Sequence, residues 1–118
     1  MSSQKTKKLP PLQIKEAKPP IPPSDYWLLS LKDVPPEGAT AVIQPTDIGT
    51  SNDRLQIYID GEVVVDKEFN NKPPREIQAF IPRDTLLKNS GQRQIHYMIR
   101  IGQGNGEMGD SEKFHITH

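Results

Sequence analysis

The run "RLQIYIDGEVVVDKEF", Arg54 to Phe69, constrains this chain more than any other stretch. Two alternating apolar and polar segments flank Asp60-Gly61, a pair that tolerates the positive φ angles of a tight hairpin turn. Successive strand residues point to opposite faces, so this alternation fits a sheet with one dry face and one wet face. A strict two-residue turn would set Ile59 opposite Glu62 and Ile57 opposite Val64, mixing Glu62 and Asp66 into the apolar face. A three-residue loop with Gly61 left-handed sets Ile57 opposite Val63 and Leu55 opposite Val65. Leu55, Ile57, Val63, Val65 and Phe69 then share one face. A one-residue slip turns a whole strand over, so burial selects this second register. By the same parity Tyr58 faces outward.

The rest of the chain repeats the theme. "ATAVIQP" (Ala39 to Pro45) is a short β-branched run stopped by proline, and "REIQAFIP" (Arg75 to Pro82) alternates again. "QRQIHYMIRI" places Ile95, Tyr97, Ile99 and Ile101 on one face, with Tyr97 anchoring the core, and "EKFHITH" does the same for Phe114 and Ile116. "LQIKEA" (Leu12 to Ala17) suits a short edge strand with Leu12 and Ile14 on one side. "DYWLLSL" (Asp25 to Leu31) is apolar but too short for a helix without support. "RDTLLKNSG" (Arg83 to Gly91) reads as one or two helical turns ending near Asn89 or Gly91. Six or seven short strands with turns about every ten residues point to an all-β antiparallel sandwich with one short helical turn.

The chain has 118 residues, the length of one domain. Six of the twelve prolines lie early, at Leu9-Pro10-Pro11 and "KPPIPP" (Lys18 to Pro23), where they forbid helix and favour extended backbone. Residues 1–8 are polar and lysine-rich and are expected to be a disordered tail, leaving 9–118 as the domain. Fifteen basic residues balance fifteen acidic ones, so no overall field favours nucleic acid or an anionic membrane. The absence of cysteine removes disulfides, thiolate catalysis and zinc–thiolate sites. No apolar run has the length of a signal-peptide core or a membrane-spanning helix, which predicts a cytoplasmic chain or one exported without a cleaved signal.

"GNGEMG" (Gly104 to Gly109) matches the G-x-G-x-x-G pattern of nucleotide-binding loops. Such a loop must open a helix whose N-terminus holds the phosphates. Only nine residues follow Gly109, and they alternate as a strand. The segment therefore reads as a mobile hairpin loop between the last two strands. Asp47, Ser51, Asn52 and Asp53, with Asp110 and Glu112, supply oxygens of the type calcium takes, but turn chemistry accounts for them. His96 and His115 lie on strands expected to be hairpin neighbours, yet two imidazoles without a third ligand fall short of a zinc set, and His118 is terminal. Asp84 suits the start of the helical turn. No nucleophile elbow, zinc-protease motif or carboxylate pair is present, so no catalytic, cofactor or metal residues are expected.

"SLKDVPPEGATAVIQP" (Ser30 to Pro45) resembles the opening of bacterial immunoglobulin-like repeats, found in large surface and secreted proteins of pseudomonads and their relatives. "LQIYIDGE", "IQAFIPRDTLLKNSGQRQIHYMIRI" and "GDSEKFHIT" resemble later segments of the same repeats, so the likeness covers about 9–118. It implies a seven-stranded immunoglobulin-like sandwich that spaces or adheres, at the cell surface or secreted, without catalysis. The expected function is protein–protein interaction or adhesion, with carbohydrate recognition or a pure spacer as alternatives. Candidate contacts for a protein or glycan are the aromatics Trp27 and Tyr58 and, in the glycine-rich segment, Gln103, Asn105 and Glu107. Trp27 is expected to pack on the sandwich, while Tyr58 is the better surface residue.

Overall fold

The alternating runs form nine strands and one short helix in the computed structural model, which describes residues 9–46, 52–101 and 106–118. The expected tail over 1–8 lies outside that range. One sheet has three strands in the order β1 (Gln13–Ile14), β3 (Ala39–Ile43), β6 (Ile77–Ile81). The other runs β2 (Trp27–Ser30), β9 (Glu112–Thr117), β7 (Gly91–Ile101), β4 (Asp53–Ile59), β5 (Glu62–Phe69), with β8 (Gly106–Met108) also on β7. β3, β4, β6, β7 and β9 divide between the sheets as strands B, C, E, F and G do in immunoglobulin-type sandwiches, with β5 added beside β4. The helix α1 (Arg83–Lys88) joins β6 to β7 and ends at Asn89, as the sequence suggested.

The core follows strand parity. Leu55, Ile57 and Ile59 on β4, Ile95, Tyr97 and Ile99 on β7, and Phe114 and Ile116 on β9 are buried, while their neighbours in sequence are not. The smaller sheet supplies Ala39, Ala41 and Ala79 at its centre, small side chains that complement Tyr97 and Phe114 from the larger sheet. Leu12 and Ile14 are buried beside β3, so "LQIKEA" is the edge strand expected of it. That strand is extended by a side chain: the Glu16 carboxylate accepts from Thr40 N at 2.8 Å and from its hydroxyl at 2.9 Å.

Three expectations are corrected. First, the sandwich is not wholly antiparallel: β2 runs parallel to β9, with Trp27 opposite Phe114 and Leu29 opposite Ile116. The N-terminal stretch crosses from β1 in one sheet to β2 in the other, and there it travels alongside the last strand in the same direction. Lys18 pairs with the free side of Leu28 through two backbone hydrogen bonds, of 2.8 and 2.9 Å, so the proline-rich stretch begins on that edge. Second, the β4–β5 hairpin uses the two-residue turn rather than the three-residue loop. Ile59 faces Glu62 and Tyr58 faces Val63; a bulge then sets Ile57 opposite Val65. Both Asp60 and Gly61 have positive φ, at 51° and 87°. Val64, the extra residue, and Val65 both pack on the core with Phe69, whereas Val63 is 44% exposed and does not join the apolar face. The bulge reconciles a tight turn with a buried row, which an unbroken register cannot do. Third, "GNGEMG" is not all loop. Gly106–Met108 pair with β7, and β8 and β9 form one interrupted strand along it, shifted by one residue between them.

At that interruption the N-terminal segment is fastened. Tyr97 donates its buried hydroxyl to Pro10 O at 2.7 Å, Gly109 N donates to Tyr97 O at 2.8 Å, and Asp110 N donates to Leu9 O at 2.9 Å. A Cβ on Gly109 would overlap the Tyr97 ring, so only glycine fits there. Gly109→Ala should destabilise the fold by about 1–3 kcal/mol, the usual cost of overpacking, as read from urea unfolding. An unchanged midpoint would contradict this packing. Burial, then the Asp110 charge, pushes the Tyr97 phenol from 10.0 up to about 12. The folded chain therefore keeps this proton after the unfolded chain has lost it. The contribution is intact below the ordinary value and is lost as pH rises towards the folded one, at about 1.4 kcal/mol per pH unit. Tyr97→Phe should cost about 1 kcal/mol at neutral pH and remove that share of the alkaline loss. Parallel pH–stability curves for the two proteins would disprove it.

Candidate functional site

The wet face of the larger sheet gathers the side chains that strand parity turns outward. Across it run Val63–Tyr58–His96, then Asp66–Gln56–Met98–Met108, then Glu68–Arg54–Arg100. Tyr58 stacks on His96 with ring centroids 4.7 Å apart and planes within 2°. Offset stacking of this kind adds about 0.5–1.5 kcal/mol beyond burial. The Tyr58 hydroxyl donates to Gln56 Oε1 at 3.0 Å, the same atom that accepts from Arg100 Nε at 2.8 Å. Gln56 Nε2 donates to Asp66 at 3.3 Å, and Arg54 bridges Asp66 and Glu68. These exposed ion pairs add little stability, but the chain of bonds holds Tyr58 and Arg100 in place.

Beside this network the face is apolar. Val63 is exposed, Met98 is half-buried, and Met108 is 45% exposed opposite it. A shallow depression of about 260 Å³ lies between His96, Met108 and Gly109. Burial lowers the His96 pKa from 6.5, so its ring is neutral near pH 7 and stacks without a charge to desolvate. At the near end of the sheet Arg93 ties the turn to the helix. It donates to Asp60 Oδ2 at 3.0 Å, Asn89 O at 3.1 Å and Ser90 O at 3.3 Å. Asp60 Oδ1 accepts from Gln94 N at 3.0 Å; that bond, then Arg93, holds its carboxyl below the ordinary range.

Among the described residues the candidate contacts do not converge. Tyr58 lies on the outer face. Trp27 is half-buried on the inward row with Phe114, packed against the core and lining a cleft at the edge of the sandwich. Glu107 pairs with Ile99, which puts it on the opposite side of the sheet from Tyr58. Gln103 and Asn105 lie outside the described residues, as do Asp47 and Ser51 of the calcium reading. His115 stands opposite Gln92, four residues along β7 from His96, so the two histidines are not brought together. Among the described residues no three His, Asp or Glu side chains are grouped to hold a metal, and no helix is long and apolar enough to cross a membrane. His96, Met98, Met108 and Gln56 were not singled out from the sequence as a surface. Their outward parity was legible, but their alignment across three strands depends on a register that only the packed sheet supplies.

His96 should titrate below 6.5 in an NMR pH series, and Tyr58→Ala should move its midpoint back up by uncovering the ring. A midpoint at or above the ordinary value would contradict the buried stack.

No family model, no curated protein and no solved structure matches this chain.

Proposed function

We propose that this chain is a non-catalytic binding module that engages a protein partner through the outer face of its larger sheet. The carrying observation is the patch that Val63, Tyr58 and His96 on one cross-strand row form with Met98 and Met108 on the next, flanked by Arg54, Arg100, Asp66 and Glu68. Aromatic residues, methionine and arginine are enriched where proteins meet, and methionine adapts its shape to a partner at low cost. The anchored Tyr58 loses little rotamer entropy on binding, because its stack and its hydrogen bond already hold it. The resemblance to surface-protein repeats supports the same class of function and an adhesive setting outside the cell.

Carbohydrate recognition is the weaker reading. Stacking on a sugar needs an open aromatic face, and Trp27 and Tyr58 lie on opposite sides of the sheet, so they make no common platform. One face of Tyr58 is taken by His96.

The experiment compares the immobilised chain with two face variants, Tyr58→Ala and Met108→Asp, and with a control on the far sheet, Gln78→Ala. Bound proteins are quantified by mass spectrometry, and a glycan array is run beside them. A partner retained by the native chain and the control but depleted about tenfold by both face variants is the expected result, a loss of roughly 1.4 kcal/mol each. Equal retention by all four proteins would sink the protein-binding face. Glycan binding abolished by Tyr58→Ala would put the sugar reading in its place.

A further inference from the structure

On the other side of the larger sheet, one carboxylate is in an unusual position. Strand parity puts Glu112 on the inward row of β9 with Phe114 and Ile116, directly opposite the fully buried Ile95. Its only hydrogen bond among the described residues comes from the backbone of its own neighbour, Lys113, at 3.3 Å. The Lys113 ammonium is engaged elsewhere, with Asp25 at 2.9 Å. Glu112 thus sits half-buried on an apolar row with no direct ion pair among the described residues; the Lys113 ammonium is near enough to feel its charge but is bonded to Asp25. A carboxylate drawn partly out of water favours a counter-charge.

Glu112 lines a cleft of about 140 Å³ between the edges of the two sheets. Its walls are Trp27, Phe114, Pro10 and Pro11, and the Gln13 and Gln44 amides lie at its rim, bonded to each other at 3.2 Å. A protein cavity of roughly 150 Å³ holds a molecule the size of benzene. The contents are constrained by the lining. A metal ion or a primary ammonium needs several oxygens to replace its water, and the side chains lining this cleft offer one carboxylate and the Gln44 amide oxygen, the Gln13 oxygen being taken by Gln44 Nε2, on an otherwise largely apolar lining. A quaternary ammonium carries no N–H donors and presents only methyl groups to the rings. It gains from the face of a tryptophan and from a nearby negative charge.

We propose that the Trp27–Glu112 cleft binds a small free organic cation with a quaternary-ammonium head. The site is separate from the outer face, so it stands or falls independently of partner binding there.

Trp27 is the only tryptophan in the chain, so its fluorescence reports on the surroundings of this one side chain; it also lines a more open depression with Val42 and Glu76, and the Glu112 variants assign the response to this cleft. The probes are choline and its uncharged carbon analogue 3,3-dimethylbutan-1-ol, titrated at constant chloride. Choline should give a saturable fluorescence change, with the analogue at least about tenfold weaker, the size expected for a partly desolvated cation. Glu112→Gln should bring choline down to the level of the analogue, and Glu112→Asp, which keeps the charge, should retain most of the binding. Tyr58→Ala should leave the titration unchanged. Equal affinity of the native chain for choline and the analogue would overturn the cation assignment without recourse to any variant. No saturable response to either probe would overturn the site itself.

Discussion

The Tyr97 hydroxyl bonded to Pro10 O is the contact on which the arrangement of this chain depends. Tyr97 is buried at the middle of β7, the strand that pairs with β4 on one side and with β8 and β9 on the other. Its ring lies flat enough against Gly109 to exclude any side chain there, and its hydroxyl reaches across to the N-terminal segment. A buried phenol without a partner would cost free energy, so the bond directs where residues 9–14 can run. From that anchor the chain places Leu12 and Ile14 in the core, runs beside β3 as β1, and then crosses to the larger sheet to pair as β2 with β9.

Both candidate surfaces descend from that routing. The parallel pairing of β2 with β9 brings Trp27 beside Phe114, and the anchored Pro10 and Pro11 close the cleft above them. The outer face owes its composition to a different constraint. The sandwich buries one row of each strand of the larger sheet, so Tyr58, His96 and Met98 have nowhere to go but outward. Once there, Tyr58 and His96 sit close enough to stack, and Tyr58 shares Gln56 Oε1 with Arg100 as a common acceptor.

The fold was legible to a good depth. Strand positions, the short helix after Pro82, the buried parity of Ile95, Tyr97 and Ile99 and the edge role of Leu12 and Ile14 all follow from local alternation and turn chemistry, which act over a few residues. The hairpin register shows where that reasoning stops. Parity alone weighed two uniform registers, whereas the chain inserts Val64 as a bulge and so satisfies both a two-residue turn and an apolar row. Likewise "GNGEMG" was read correctly as unable to open a helix, yet Gly106–Met108 became a strand because the unpaired edge of β7 was available to them.

The candidate site was less legible, for the same reason. The sequence by itself determined which side chains of β4, β7 and β9 face outward, that the chain is a β-sandwich of one-domain length, and that no familiar catalytic motif is present. It could name Tyr58 and Trp27 as the aromatics to watch. Only the tertiary structure decided that they lie on opposite sides of one sheet, that His96 stacks on Tyr58, and that Glu112 lines the cleft beside Trp27. Alternation is a property of neighbouring residues. Register, parallel pairing and the route of the N-terminal segment are settled by contacts between residues as far apart in sequence as Leu9 and Asp110, which no local pattern encodes.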